Sequence, residues 1–140
     1  MVIEVNGCEN ALRAWAKAGT AGGNNLWMQI RHPGRQCSRT VTRQPLAPSP
    51  VQLDLIGLFG RPRAMTAEEI EDVIRRFAHV AAVARETGFT GVQVHGAHGY
   101  LLSQFLSPVT NQRDDEWGGP LENRARLLLA CVRAVRTAVG

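Results

Sequence analysis

The sequence has few cysteines, no low-complexity tract and no long apolar run. Its three cysteines, Cys8, Cys37 and Cys131, are widely spaced and form no C-x-x-C pair. Scattered cysteines in odd number predict reduced thiols and argue against a disulfide framework or an iron–sulfur site in this stretch. A chain of 140 residues that are 44% hydrophobic is typical of one globular, soluble domain, here residues 1–140.

The start of the chain lacks the features of a secretory signal. Residues 1–15 contain no basic segment followed by a continuous apolar core, so we expect a cytoplasmic protein. A membrane-spanning helix needs about 20 predominantly apolar residues, and the sequence has no such stretch. We therefore predict no membrane partner.

Acidic residues are scarce in one segment, because residues 31–63 contain only Asp54 as an acid. The arginines of that segment are Arg31, Arg35, Arg39, Arg43, Arg61 and Arg63. One interpretation is a basic lip that attracts an anionic substrate or a nicotinamide cofactor. The favoured interpretation is a solvated loop whose arginines pair with parts of the fold outside this chain. Nucleic acid is not expected as a partner, because aromatic residues do not interleave with the arginines as stacking platforms would.

The first half of the chain predicts a helix, a strand and a long loop. Apolar residues recur at helical spacing in residues 9–17, and the glycine-rich stretch 19–23 ends that helix. Residues 26–31 alternate with a period of two, which predicts a strand with Gln29 and Arg31 on the side facing away from the core. The following thirty residues contain four prolines and no sustained period. A loop of that length is unusual unless it is functional.

The second half predicts a helix, a strand and two more helices. Thr66 and Glu69 form a T-x-x-E capping box at the head of the first of these helices. Its apolar positions are Ile70, Val73, Ile74, Phe77, Val80 and Ala81. Residues 89–94 supply the next strand, joined by a right-handed parallel crossover, and a short helix follows over 101–106. The last helix is expected to have Pro120 at its first position. Its predicted apolar face comprises Ala125, Leu128, Leu129, Val132 and Val135.

Polar side chains gather where the second strand ends. His95, His98 and Tyr100 follow that strand within six residues. In parallel α/β proteins ligands bind at the carboxyl ends of strands, because the loops there open on a crevice. An H-x-x-H pair supplies only two metal ligands, and no third cysteine, histidine or carboxylate stands at metal-site spacing. We therefore predict a functional site without a metal.

These residues belong to a longer pattern. H-x-x-H-G-Y-L is followed by Q-F-L-S-P, N-x-R, W-G-G and E-N-R-A-R, and preceded by L-W-M-Q-I-R-H-P-G-R-Q. The pattern resembles the old yellow enzyme family of FMN-dependent NADH:flavin oxidoreductases. The resemblance implies an α/β fold that is part of a (β/α)8 TIM barrel, with about two βα units, a preceding helix and a long strand-end loop. A whole barrel needs roughly 250 residues, so we expect a partial barrel.

The resemblance also implies roles for four side chains. Gln29 is expected to pair with the pyrimidine edge of FMN, since a carboxamide offers both donor and acceptor; the alternative is a glutamine bonded to neighbouring backbone. His95 and His98 are expected to donate hydrogen bonds to the carbonyl oxygen of an enone or to a phenol; the alternative is two structural histidines. Tyr100 is expected to be the proton donor, or else to anchor the following helix through its hydroxyl.

Further motif residues are expected to form a polar network that holds a loop against the last helix. They are Asn111, Arg113, Glu122, Asn123 and Arg124. The implied reaction is hydride transfer from NADH or NADPH through FMN to an electron-poor alkene or a similar acceptor. The alternative is a non-catalytic barrel remnant, or half of a split barrel that needs a partner chain. An open sheet also predicts association, as a homo-oligomer or with a complementing barrel half.

Overall fold

A computed structural model describes residues 8–140, so the interpretation of the chain's first seven residues lies outside the described part. The elements, in chain order, are α1 (Glu9–Thr20), β1 (Trp27–Ile30), β2 (Leu46–Ala47), β3 (Arg63–Ala64), α2 (Ala67–Glu86), β4 (Gly91–Val94), α3 (Leu101–Leu106) and α4 (Leu121–Val139). A single 3-10 turn, Gly34–Gln36, follows β1. Within residues 8–140, no helix is long and apolar enough to cross a membrane.

Strands β1 and β4 form a parallel pair that α2 connects, as the sequence predicts. The register sets Gln29 opposite Gln93 and Trp27 opposite Gly91. Met28 and Ile30 of β1 are buried under α2. Trp27 and Gln29 are exposed on the opposite face. A side chain at Gly91 would collide with the Trp27 indole, since its Cβ would lie 2.8 Å from the ring. The strand alternation thus sends polar groups to one open face of the sheet.

Helix α2 is fixed at its start by the predicted capping box. The Thr66 hydroxyl accepts a hydrogen bond from the Glu69 backbone N–H, and the Glu69 carboxylate accepts one from the Thr66 N–H. Arg63 also donates two hydrogen bonds to that carboxylate. The buried face of α2 is the predicted one, except that Ile74 is only partly buried and Ala84 is added. It packs chiefly against α4 and the inner face of the two strands.

The loop between β1 and α2 contains more regular structure than its sequence predicts. Strands β2 and β3 pair in parallel, and Ser38 forms an isolated bridge with Phe59. The pairing is made by backbone groups, with Met65 N–H donating to the Ala47 carbonyl at 3.0 Å. Such short strands leave no period in the sequence, because backbone contacts rather than side-chain alternation define them.

The predicted apolar face of α4 is confirmed at Val135, which is buried, and at Leu128, which packs against the core, but it was wrong at Leu129 and Val132. The buried residues are Leu127, Cys131 and Val135, whereas Leu129 and Val132 are 49% and 45% exposed. The helix is apolar at nearly every position from 127 to 132, so spacing alone does not select one face. The helix also begins at Leu121, with Pro120 as its N-cap rather than its first helical residue.

The Glu69 contacts predict a specific dependence of stability on pH. The Arg63 guanidinium, followed by the Thr66 N–H, lowers the pKa of Glu69 to about 2. A carboxylate with a depressed folded-state pKa stabilises the fold above its unfolded pKa of about 4.3, and this contribution is lost as the pH falls towards the folded value. In Glu69→Gln, the free energy of unfolding should therefore fall less between pH 5 and pH 2 than in the wild type.

Urea unfolding at each pH measures this difference. Glu68→Gln is the matched control, because it removes a carboxylate from the same helical turn without touching Arg63. Parallel pH profiles for wild type and Glu69→Gln would contradict the assignment.

Candidate active site

The parallel pairing of β1 with β4 brings the segments that follow both strands together. The ladder continues past the strand ends, since the His95 N–H donates to the Ile30 carbonyl at 3.0 Å. One step further, the Leu101 N–H donates to the His32 carbonyl, also at 3.0 Å. The loops after β1 and β4 therefore lie side by side at the carboxyl end of the sheet, and we call the surface that they form the floor of the site.

The three side chains predicted for catalysis lie together on this floor. The ring centroids of His95 and His98 are 4.9 Å apart, and those of His95 and Tyr100 are 5.3 Å apart. His95 is only 7% exposed, and its Nε2 atom is buried without a hydrogen-bond partner in the described chain. Buried polar atoms are nearly always hydrogen-bonded in folded proteins, so an orphaned ring nitrogen beside two other polar groups indicates a ligand position.

The surroundings of His95 favour its neutral form. Burial lowers its pKa, and the charges of His98 and Arg31 lower it further. A neutral imidazole has one N–H donor and one acceptor nitrogen. It can therefore offer a hydrogen bond to a ligand oxygen without adding a full charge to the site.

The turn that carries His98 and Tyr100 has an uncommon backbone. His98 and Gly99 have φ angles of 56° and 69°, two consecutive residues in the left-handed region. A histidine there is under mild strain and persists where surrounding contacts fix it. The carboxamide of Gln36 supplies one such contact, since its Nε2 donates to the carbonyls of both His98 and Gly99 at 2.9 Å.

A second glutamine, Gln104 of α3, also bonds to this turn, and we call Gln36 and Gln104 together the clamp. Gln104 is 1% exposed, and its Nε2 donates to the Gly99 carbonyl at 2.6 Å and to the Pro33 carbonyl at 3.2 Å. Its Oε1 accepts from the Arg35 N–H at 3.2 Å. A side chain at Gly34 would clash with this carboxamide. One buried amide thus ties the loop after β1 to the turn after β4.

Gln29 lies on the open face of the sheet, as its position in the alternation predicts. Its Nε2 donates to the Oε1 of Gln93 at 2.7 Å, a cross-strand bond between directly opposed residues. This partner is a side chain, not the neighbouring backbone that the structural alternative predicted. The Gln29 Oε1 atom is left facing the same open side as Trp27.

The family model of the NADH:flavin oxidoreductase / NADH oxidase family matches residues 9–140. The chain belongs to this family. It is 44% identical over 127 residues to an NADH oxidase of Thermoanaerobacter brockii, which covers 89% of the chain and 19% of that protein. It is 42% identical over 114 residues to an NADPH dehydrogenase of Clostridium acetobutylicum, covering 81% of the chain and 33% of that protein.

A solved structure of the family has the same fold as this chain. The old yellow enzyme homologue of Zymomonas mobilis superimposes with a TM-score of 0.93 at 33% identity, over 99% of this chain and 41% of that one. These relatives are TIM barrels, so the predicted fold class, part of a (β/α)8 barrel, is confirmed. The chain spans 19% and 33% of the two curated relatives named above.

The motif residues beyond the site bond chiefly to the loop between α3 and α4 and to its neighbours. The Asn111 side chain donates to the carbonyls of Phe105 and Trp117, both at 2.8 Å. Arg113 donates to the Met65 carbonyl at 2.8 Å and Arg124 to the Leu106 carbonyl at 2.8 Å. The predicted link between the last helix and the loop before it is confirmed at Arg124, whereas Asn111 and Arg113 tie that loop to α3 and to the segment before α2. The Asn123 side chain accepts a hydrogen bond from Arg126 within α4.

Two arginines of the basic segment have partners within the described chain. Arg63 forms an ion pair with Glu69, and Arg35 donates to the Val51 carbonyl at 3.1 Å. Both contacts show that the segment is partly neutralised and tied down locally. In residues 8–140, no group of three or more histidine, cysteine or acidic side chains lies close enough to hold a metal ion.

Sequence reasoning missed Gln36, Gln93 and Gln104 as members of the site. Gln36 and Gln104 do lie within the patterns L-W-M-Q-I-R-H-P-G-R-Q and Q-F-L-S-P, but those patterns gave them no role. Glutamines have no distinctive spacing, and their importance here comes from which carbonyls the fold brings to them.

Removing the Gln104 amide should destabilise the protein and disturb Tyr100. Gln104→Met keeps the side-chain volume but leaves two carbonyls and one N–H without their buried partner. We expect a loss of about 2 to 4 kcal/mol in the free energy of unfolding, measured by urea titration. Because the chain has one tyrosine, the ring NMR signals of Tyr100 should also shift.

Gln112→Met is the control, since Gln112 is exposed and makes only a long 3.5 Å side-chain bond to Val109. It should change the free energy of unfolding by less than about 0.5 kcal/mol. An equal loss in both variants would refute the clamp.

Proposed function

We propose that the chain forms part of an FMN-dependent oxidoreductase that transfers hydride from NADH or NADPH, through FMN, to an electron-poor alkene. The observation that carries this proposal is the orphaned Nε2 of His95 beside His98 and Tyr100 at the carboxyl end of β4. The names of its relatives, an NADH oxidase and an NADPH dehydrogenase, support the same chemistry. We also propose that residues 1–140 form one domain, a partial barrel, and that the protein is cytoplasmic.

The open face of the sheet suits a flavin. Gln29 presents a carboxamide there, and Gln93 fixes its orientation by accepting from its Nε2. The remaining amide hydrogen and the Oε1 atom give the donor and acceptor that a pyrimidine edge needs. FMN, when bound and reduced, supplies the hydride.

The chain's own residues handle the oxygen and the proton of the acceptor. His95 and His98 donate hydrogen bonds to the carbonyl oxygen, which gains negative charge as the β-carbon accepts hydride. A phenol ordinarily keeps its proton at neutral pH, so Tyr100 is suited to give that proton to the α-carbon. By bonding to the turn at His98 and Gly99, Gln36 and Gln104 hold His98 and Tyr100 at the carboxyl end of the sheet.

A homo-oligomer or a complementing barrel half would cover surfaces that the chain leaves open. Trp27 on the sheet face is 62% exposed, and Leu121, Leu129 and Val132 form an exposed apolar strip along α4. Both strands of the β1–β4 pair have a free edge within residues 8–140. Exposed edges and apolar faces favour association.

We therefore expect the purified 140-residue chain to scatter light as oligomers rather than as monomers. Leu129→Glu places a charge on the strip without altering the buried face of α4 and should lower the apparent mass if α4 forms the contact. A monodisperse wild-type monomer with a cooperative melt would contradict this expectation.

Replacing Tyr100 by Phe in the active enzyme tests the proposed reaction. The substitution removes one proton donor and little volume, so alkene reduction should fall about 100- to 10,000-fold, the usual range for a lost general acid. Flavin reduction by the nicotinamide needs no such proton and should keep its rate. Stopped-flow measurement of the two half-reactions separates them. Alkene reduction at the wild-type rate would make Tyr100 a structural residue.

A further inference from the structure

Arg31 is the first residue after β1, and the strand alternation directs it to the same side as Gln29. Its side chain is exposed. Its guanidinium carbon lies 5.3 Å from the centroid of the Tyr100 ring. The guanidinium therefore sits over the residue proposed to donate the proton, beside the two histidines proposed to bind the carbonyl.

Arg31 has no carboxylate partner among the described residues, whereas other arginines around it do. Glu69 and Asp72 line the same cavity of about 300 Å³ as Arg31. Both carboxylates are already bonded, Glu69 to Arg63 and Asp72 to Arg75 and Arg76. An exposed cation can remain solvated, but a planar guanidinium stacked on a ring is held in place ready to bind.

On the Tyr100 side of this guanidinium, the polar side chains are hydrogen-bond donors or neutral groups. His95, His98 and Tyr100 offer hydrogen-bond donors, and the nearest clamp residues, Gln36 and Gln104, are uncharged. The positive charge of Arg31 reaches His95, whose pKa it helps to lower after burial and His98. A neutral enone would need only the two histidines. A third, cationic donor adds a place for negative charge.

We propose that Arg31 is a specificity-determining residue that binds a carboxylate of the acceptor, so that the substrate class is an alkene bearing an anionic acid group. This inference rests on the proposed function, because it assigns the acceptor of the same site. The planar fork of the guanidinium matches the two oxygens of a carboxylate. Arg31 selects among acceptors, and His95, His98 and Tyr100 keep their roles.

The test compares two probes of similar size and shape, the anion cinnamate and the neutral amide cinnamamide. Each is titrated into the full chain with oxidised FMN and no reductant, and again without FMN. The ring NMR signals of Tyr100, the single tyrosine, report the Kd of each probe. In the wild type, cinnamate should bind more tightly than cinnamamide.

Arg31→Gln should raise the Kd of cinnamate about tenfold, the effect of losing one charge-assisted hydrogen bond at an exposed site, and change that of cinnamamide by less than about twofold. Arg31→Lys keeps the charge but not the fork, so it should restore part of the preference. The control Arg39→Gln removes the same charge from the same basic segment and should leave both Kd values unchanged.

Equal weakening of both probes by Arg31→Gln would reduce Arg31 to a stacking residue and overturn the inference. The inference is also overturned if the wild type shows no preference for cinnamate, or if cinnamate leaves the Tyr100 signals unmoved. A separate titration of FMN by visible absorbance keeps the two claims apart. If the protein binds no flavin but still prefers cinnamate, only the proposed function is overturned. If it binds flavin but shows no preference for cinnamate, only the role of Arg31 is overturned.

Discussion

The hydrogen bonds from Gln36 and Gln104 to the turn at His98 and Gly99 are the contacts on which the site depends. Two successive residues with positive φ are not stable by themselves, and the two carboxamides satisfy the carbonyls that this backbone exposes. Because Gln104 also bonds the loop after β1, the two strand ends cannot move independently. The positions of His98 and Tyr100 follow from that link.

The features predicted correctly from sequence are those that local chemistry dictates. The capping box at Thr66 and Glu69 and the buried face of α2 depend on residues within a few turns of one helix. The clustering of His95, His98 and Tyr100 follows from their position just after a buried strand. Their roles in catalysis remain predictions, because adjacency does not show which group meets a substrate.

The features that sequence did not predict depend on contacts between distant segments. Helix α4 is apolar around much of its circumference, so the packing of α2 selects Leu127 and Cys131 for burial over Leu129. The β2–β3 pairing uses backbone atoms and leaves no side-chain signature. The structural role of Gln36 and Gln104 is recognised only from the fold, which places backbone carbonyls around their amides.

The electrostatic character of the site follows from the same geometry. Burial leaves the Nε2 of His95 without a partner among residues 8–140 and lowers the pKa of the ring, while Arg31 supplies positive charge nearby. Donors therefore outnumber acceptors at the end of the sheet. That imbalance favours a substrate oxygen on which negative charge develops.

The most direct test of the central claim is a crystal structure of the protein with oxidised FMN and a simple phenol bound. We predict that the pyrimidine edge of the flavin pairs with Gln29 and that the phenol oxygen accepts a hydrogen bond from Nε2 of His95. A flavin bound elsewhere, with the His95 nitrogen still unpartnered, would contradict the assignment of this strand end as the active site.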